Sequence, residues 1–186
     1  MAYYENKIDD ALKFLLRHQL TNPMGDKPIV YVVYDPSDAI EMENILNSVI
    51  MPKVKFWGFK TIDVIRMGKV IDEAIKSSKN LKWYSSDRFK EKMLFKGIAK
   101  EITDSKCMSN IILDKQKELT EKEKPLIIIS ELEMLHPFER IGSFENDHYN
   151  DIQVPMLILY PGTSKVFARS LLGVNEMDRS YRSKNF

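Results

Sequence analysis

Three short runs of nearly continuous apolar residues stand out along the chain, and each ends at a turn or helix-start signal. They are residues 28–34, 125–129 and 154–160, and all are rich in β-branched, aliphatic and aromatic side chains. Continuous rather than alternating patterning is typical of strands covered on both faces, as in a parallel sheet. A weaker fourth strand is predicted around 54–59, and the alternating aromatic and basic residues of 181–186 predict an edge strand.

Apolar residues recur at helical spacing between these runs. The stripes cover residues 4–20, 40–50, 62–75 and 89–102. Strands that alternate with helices form βαβ units, so we predict an α/β fold: a Rossmann-like or P-loop-like three-layer arrangement with a mostly parallel sheet. No linker divides the chain, so 1–186 is expected to form a single domain. Residues from about 78 to 122 are expected to form a helical insert within it, or an unusually long crossover.

Composition narrows the function classes. Of the 186 residues, 44% are hydrophobic and 30% are charged, which is enough to bury a core and excludes a disordered chain. The 28 basic and 27 acidic residues nearly cancel, so direct nucleic-acid binding is not favoured. A small basic tail of Arg179, Arg182 and Lys184 keeps that possibility open.

The compartment is predicted from cysteine usage and from the lack of targeting signals. Cys107 is the single cysteine, so no disulfide within the chain and no multi-cysteine zinc site is possible. We interpret it as a partly buried structural thiol. The N-terminus has no signal-peptide pattern, and no stretch approaches the ~20 apolar residues that span a bilayer. A cytoplasmic protein without membrane contact is expected.

Function is expected at the carboxyl ends of the strands, because ligands of open α/β sheets bind there. The first run ends at Asp35, which is followed by Pro36 and, three residues after the cap, by Asp38. This pattern predicts a helix start with Asp35 as its N-cap. The alternative is that Asp35 is a metal or substrate ligand. Asp63, after the weak strand, has the same two interpretations.

The second run ends in Ser130 and Glu131, an arrangement similar to the Walker B position of an ATPase. No Gly-x-x-x-x-Gly-Lys-Ser/Thr phosphate loop and no Gly-x-Gly-x-x-Gly motif occurs in the sequence. ATP hydrolysis by the P-loop route is therefore not expected. Glu131, Glu133 and His136 can be read as a metal cluster, but a polar turn near Pro137 is the favoured interpretation, and no cofactor is predicted.

The third run ends in Tyr160, Pro161 and Gly162, a turn after which Thr163 or Ser164 is predicted to cap a helix. Backbone amides at such a helix start can hold an anion, and Lys165 or Arg169 could assist. A plain strand–turn–helix junction is the favoured interpretation. No Gly-x-Ser-x-Gly motif is present, so nucleophilic catalysis is not predicted.

The same strand-end segments carry a resemblance to a known family. They are the strand and turn of 30–36, the weak strand leading to Ile62 and Asp63, the segment 126–141 with its Leu-His-Pro-Phe turn, and 155–162 with Tyr-Pro-Gly, together with the ending 181–186. In these features the chain resembles BrxB, a component of BREX, a bacterial anti-phage defence system. The likeness runs in order along almost the whole chain, although 76–124 matches only in being helical.

The resemblance implies a small cytoplasmic accessory protein without enzymatic activity. It would work beside a large ATPase, a methyltransferase and PglZ, an alkaline-phosphatase-like protein and the nearest expected partner. The leading hypothesis is therefore an interaction scaffold. The candidate surface consists of Asp35, Asp63, Glu131, His136, Arg140, Tyr160, Gly162 and Lys165.

The alternative hypothesis is a degenerate nucleotide- or metal-binding domain with phosphoryl-transfer or nuclease activity. Asp35, Asp63 and Glu131 would then converge on a metal ion, with Lys165 or Arg169 facing a phosphate.

Overall fold

A mostly parallel β-sheet forms the centre of the molecule. The computed structural model describes residues 2–21, 27–84, 91–165, 168–174, 178–179 and 183–186. The strands are β1 (Ile29–Tyr34), β2 (Thr61–Arg66), β3 (Pro125–Ser130), β4 (Met156–Lys165), β5 (Ala168–Leu171), β6 (Asp178–Arg179) and β7 (Lys184–Asn185). The parallel order is β2-β3-β4-β1-β7. Strand β5 pairs antiparallel with the far end of β4, and β6 pairs antiparallel with β5.

Eight α-helices accompany this sheet in the described part of the chain. They are α1 (Ala2–Thr21), α2 (Ala39–Ile45), α3 (Met51–Phe56), α4 (Met67–Lys76), α5 (Leu81–Tyr84), α6 (Glu91–Ser105), α7 (Cys107–Leu119) and α8 (Ile141–Asp147). The described residues also form short 3-10 turns at Pro36–Asp38, Leu132–Leu135 and Tyr149–Asp151 and a π turn at Leu46–Ile50. None of the helices within the described ranges is long and apolar enough to cross a membrane.

Both faces of the sheet are covered, which explains the continuous apolar strands. Ile29, Tyr31 and Val33 of β1 join the core under α4, α6, α7 and α8. The alternating residues Val30 and Val32 join a second core under α1, α2 and α3. Because successive side chains of a strand point to opposite faces, a strand between two helical layers must be apolar throughout. The predicted three-layer α/β fold with a mostly parallel sheet is confirmed.

The three main strand predictions are confirmed, but the weak strand is misplaced. The prediction of a strand at 54–59 is wrong, because Met51–Phe56 is helical and the strand runs over Thr61–Arg66. Over so few residues, a buried Val54 between Lys53 and Lys55 fits a half-buried strand as well as one helical turn. The predicted helical stripe of 62–75 accordingly contains β2 before α4 begins at Met67.

In its described residues, 78–84 and 91–122, the segment of about 78–122 is mainly helical as predicted, and it belongs to the long connection between β2 and β3. Its last helix, α7, belongs to the main core, because Met108, Ile112 and Leu119 are buried there. Gln116 of the same helix is buried too, and its amide bonds the backbone of the loop that precedes β4. Helix α4 packs against both α6 and α7.

The predicted turn and helix after Tyr160 are wrong. Strand β4 continues through Pro161 and Gly162 to Lys165 and pairs with β5 as an antiparallel hairpin. Gly162 faces Leu171 across this hairpin, and a Cβ on it would lie 2.1 Å from the backbone oxygen of Ser170. The glycine is therefore required by a close approach between two paired strands. Residues 166–167 lie outside the described residues.

The predicted C-terminal edge strand is confirmed for its last part. Lys184 and Asn185 pair in parallel with β1. The backbone N–H of Phe186 donates to the Tyr31 oxygen at 2.8 Å, and the N–H of Val33 donates to the Phe186 oxygen at 3.0 Å. Tyr181 and Arg182 lie outside the described residues, as does the side chain of Arg179, so the predicted basic tail is seen only at Lys184.

Candidate functional site

A pocket of about 390 Å³ opens at the carboxyl ends of the parallel strands. This is the position at which open α/β sheets bind ligands. The pocket is bounded by the ends of β1, β3 and β4, by α2, by the start of α4 and by the 3-10 turn after β3. Its lining residues are Tyr34, Ala39, Ile40, Met42, Glu43, Asn44, Gly68, Ser130, Glu131, Glu133, Met134 and Leu159.

Glu131 is the residue directly after β3, and its side chain lines the pocket. Its backbone is left-handed, with φ 60° and ψ 38°, a conformation that costs a non-glycine residue about 1–2 kcal/mol. One carboxylate oxygen accepts from the backbone N–H of Gly68 at 3.1 Å. Glu131 thereby caps the first turn of α4, where a negative charge is favoured. A Cβ on Gly68 would lie 2.5 Å from that oxygen, so glycine makes the contact possible.

Glu43 of α2 forms an ion pair with Arg66, the last residue of β2. The two guanidinium nitrogens Nη2 and Nε of Arg66 lie 2.7 Å and 3.1 Å from Glu43 Oε1. Nε of Arg66 also lies 3.7 Å from an oxygen of Glu131. Two carboxylates of the pocket therefore share this guanidinium, and Glu43 has the shorter contacts.

Glu133 is the half-buried carboxylate of the pocket. Burial raises its pKa, and the nearby carboxylates of Glu131 and Glu43 raise it further, while a hydrogen bond from Tyr34 acts in the opposite direction. Burial also raises the pKa of Tyr34, and the charge of Glu133 adds to the rise. The oxygen Oε2 of Glu133 is buried and has no hydrogen-bond partner among the described residues. Glu133 is thus a carboxylate whose charge is incompletely compensated.

Ser130 closes β3 at the floor of the pocket. Its side chain is only 3% exposed. Within the described ranges, its hydroxyl oxygen has no hydrogen-bond partner. Most buried polar atoms are satisfied, and leaving one unsatisfied costs roughly 1–3 kcal/mol. The pocket therefore combines excess negative charge with two buried polar atoms that have no hydrogen-bond partner among the described residues.

We expect Glu133→Gln to stabilise the protein at neutral pH. The raised pKa means that the folded state holds the proton more tightly than the unfolded state. Stability is therefore intact below the unfolded pKa and decreases as pH rises through the folded pKa. Thermal unfolding should give a higher Tm for the variant at pH 7 and equal values near pH 4. A variant that is less stable at pH 7 would contradict this account.

The eight predicted residues do not form one surface. All eight lie in the described ranges, and of them Glu131 alone lines the strand-end pocket. Asp35 caps the turn after β1 as predicted: its Oδ1 accepts from the Ser37 amide at 2.9 Å and hydroxyl at 2.7 Å. These bonds hold the pKa of Asp35 below its usual value.

Asp63 does not follow a strand, as was predicted, but lies inside β2, where it forms an ion pair with Lys115 of α7 at 2.9 Å. Asp35, Asp63 and Glu131 each have a separate partner and do not converge on a common point. No three His, Cys, Asp or Glu side chains in the described part of the chain lie close enough together to hold a metal ion.

The remaining predicted residues lie on other parts of the molecule. Arg140 is exposed at the start of α8 and lines a second pocket of about 320 Å³ together with Pro137 and Phe138. His136 precedes Pro137 in a cis peptide bond. Tyr160 and Gly162 are buried, whereas Lys165 is exposed at the end of β4. The prediction that Tyr160 and Gly162 lie on a surface is wrong, because both residues are buried in the part of β4 that precedes its exposed end.

Arg169 was considered as a phosphate ligand, but it is buried in an ion pair. Only 1% of its side chain is exposed, and Nη2 lies 3.1 Å from an oxygen of Glu145, which is 2% exposed. The guanidinium stacks on the ring of Tyr31 at 3.5 Å and donates to Ser183 and Asn185. Its role is to fix the C-terminal segment to the core.

Cys107 is half-buried, and burial raises the pKa of its thiol. The thiolate that a nucleophile or metal ligand needs is therefore disfavoured. This agrees with the interpretation of Cys107 as a structural residue.

Tyr34, Glu43 and Ser130 are pocket residues that were not predicted as a site, and Glu133 was considered only as a member of a metal cluster. A signal for two of them exists in the sequence, since Tyr34 and Ser130 are the last residues of apolar runs that end at the same edge of a parallel sheet. Glu43 lies on a predicted helix, and its approach to the pocket depends on where α2 packs.

In comparisons with known proteins, no family model matches the chain, and neither the search of curated proteins nor that of solved structures found a match.

Proposed function

We propose that this chain is a non-enzymatic, cytoplasmic accessory component of a BREX anti-phage defence system, acting as a protein-interaction scaffold with a PglZ-like partner. The resemblance to BrxB supports the system and the partner. The observation that carries the scaffold role is the strand-end face, where two large apolar side chains project at the rim of the pocket. Ile40 is 84% exposed and Met134 is 50% exposed.

This rim has the composition of an interaction site. Apolar residues beside a cleft with a few polar groups are typical of contact surfaces, and methionine is enriched in such surfaces. Ile40 lies on α2 and Met134 on the turn after β3, so both are held by regular structure that packs on the sheet. A partner segment that covers both side chains would also close the pocket between them.

The nucleotide- or metal-binding alternative has less support and stays a prediction. The three acids on which it depends have separate partners, and Arg169 is buried against Glu145. The strand-end pocket is lined by Glu43, Glu131 and Glu133, whose charge repels a phosphate.

The test is co-purification of a tagged chain with the PglZ-like protein of its native host. We expect Ile40→Asp combined with Met134→Asp to reduce recovery of the partner at least about tenfold, because two buried charges at a contact cost several kcal/mol. Both residues are exposed, so the variant should keep the wild-type circular dichroism spectrum and Tm.

The matched control is Phe56→Asp, since Phe56 is another large apolar residue, 82% exposed, at the end of α3 and outside the strand-end pocket. It should leave recovery unchanged. Equal loss in the control variant, or full recovery with the double variant, would reject the strand-end face. Failure of the wild-type chain to recover any PglZ-like protein would reject the proposed partner.

A further inference from the structure

We propose that the strand-end pocket binds a guanidinium group on an aliphatic stem, presented by an arginine side chain of the partner. That the arginine belongs to the partner rests on the proposed function. The affinity of the pocket for a guanidinium does not, because it follows from the pocket's own groups.

The charge of the pocket selects a cation. Glu43, Glu131 and Glu133 line it. In the described part of the structure, the guanidinium of Arg66 contacts Glu43 and approaches Glu131, and no ion pair reaches Glu133. Opposite charge within a few ångströms stabilises a carboxylate that burial has made unfavourable. A bound cation would therefore oppose the rise in the pKa of Glu133 that burial and the neighbouring carboxylates cause.

The unsatisfied atoms select a donor with several N–H groups. Ser130 Oγ and Glu133 Oε2 are both buried, and neither has a hydrogen-bond partner among the residues that the structure describes. Both can accept a hydrogen bond. A guanidinium carries five N–H donors in one plane and accepts none, so it can serve two or more acceptors from one position. It is also more weakly hydrated than an ammonium group, which favours it in a half-buried site.

The apolar part of the lining selects an aliphatic stem. Met42 and Leu159 are almost fully buried, and Ile40 and Met134 stand at the rim. Arginine buries its methylene groups along apolar surface while its head reaches polar partners. The rim residues Ile40 and Met134, which are proposed to contact the partner, therefore lie beside a pocket that can hold one of the partner's side chains.

The test uses the purified chain and small probes, so it needs no partner. N-acetylarginine N-methylamide should bind with a dissociation constant on the order of millimolar, as expected for a small ligand with few contacts. The citrulline counterpart has nearly the same shape but no charge and should bind at least about tenfold more weakly. Amide chemical shifts of Gly68 and Ser130 should move on titration, since both residues line the pocket.

The variants address the two groups separately. Glu133→Gln removes the uncompensated charge, and Ser130→Ala removes the unsatisfied hydroxyl. Each should weaken arginine binding at least about fivefold, and the first variant is expected to be more stable than the wild type at neutral pH. The control is Glu73→Gln, which removes an exposed carboxylate from α4 outside the pocket and should not change binding.

The inference is wrong if the arginine and citrulline probes bind equally, if neither binds, or if Glu73→Gln weakens binding as much as Glu133→Gln. Tighter binding of the lysine counterpart would reject the guanidinium. Two results taken together would overturn the proposed face and support the pocket. The wild-type chain would bind the arginine probe, and the variant Ile40→Asp with Met134→Asp would still recover the partner. Rim-dependent recovery without arginine binding would overturn the pocket inference alone.

Discussion

Arg169→Ala should destabilise the protein by roughly 3–5 kcal/mol, the cost of removing one partner from a buried ion pair. Glu145 is 2% exposed, and its carboxylate would remain in the core with hydroxyl donors from Tyr31 and Ser183. The bonds from Arg169 to Ser183 and Asn185 would be lost as well, which loosens β7 from β1. Urea unfolding followed by circular dichroism would measure the change.

Two comparisons separate charge burial from loss of packing. Glu145→Gln combined with Arg169→Met removes both charges, keeps an acceptor for Tyr31 and should recover more than half of the lost stability. Lys76→Ala removes an exposed pair with Asp72 at 2.5 Å and should cost less than about 1 kcal/mol. If Arg169→Ala costs no more than Lys76→Ala, the ion pair contributes little and the account is wrong.

The main strands could be predicted from the sequence because burial on both faces leaves a strong signal. The runs that end at Tyr34, at Ser130 and at Tyr160 are apolar at nearly every position, which is typical of strands covered on both faces. The strand β2 lies at the edge of the parallel order and is half-exposed at most positions. Its polar residues Thr61, Asp63 and Arg66 interrupt the apolar pattern, which explains why the predicted strand lies some residues too early.

The end of β4 could not be predicted from local signals. Pro161 and Gly162 with Thr163 are typical of a turn before a helix, and nothing nearby shows that another strand will pair there. The hairpin depends on the pairing of Ser170 and Leu171 with β4. It also depends on the ion pair between Arg169 and Glu145 of α8. Contacts between residues far apart in sequence decided the structure against the local propensity.

A pocket opens at the strand ends, where the sequence predicts function, but Glu131 alone of the predicted residues lines it. The sequence suggested separate acids that could meet at a metal ion, and Glu131 was the member that reached the pocket. It acts there as a cap for α4 through Gly68. The pocket's character comes from Glu133 Oε2 and Ser130 Oγ, and the lack of a hydrogen-bond partner for these two atoms among the described residues becomes visible only in three dimensions.

The position of a phosphate loop in this fold is thus occupied by different chemistry. A nucleotide site of this type offers glycines and a lysine after β1, whereas this chain has Tyr34, Asp35 and Pro36 there and carboxylates opposite. The same sheet edge that would receive an anion is built to receive a cation. This reversal of charge supports a role in binding a partner over a role in binding ATP.

Gln116→Leu should destabilise the protein by about 3 kcal/mol or more. The side chain is 2% exposed; its amide nitrogen donates to the Val154 oxygen at 3.1 Å, and its oxygen accepts from the N–H groups of Gln153 and Val154 at 2.9 Å and 2.7 Å. Leucine would leave these three backbone groups unsatisfied, at roughly 1–3 kcal/mol for each one that stays buried. Urea unfolding is again the measurement, with Lys117→Leu on the exposed face of α7 as the control.

The substitution Gln116→Glu tests the contribution of these hydrogen bonds to stability as a function of pH. Below its pKa, the carboxyl of a Gln116→Glu variant is neutral, accepts from both N–H groups and donates to the Val154 oxygen. At higher pH, a buried carboxylate would face that oxygen, so the folded pKa is raised above the unfolded value of about 4.3. Stability relative to wild type should be nearly intact near pH 4 and fall as pH rises through the folded pKa. A constant difference between pH 4 and pH 7 would mean that the loop before β4 has moved away from α7, since only a carboxyl held against Val154 makes stability depend on its proton.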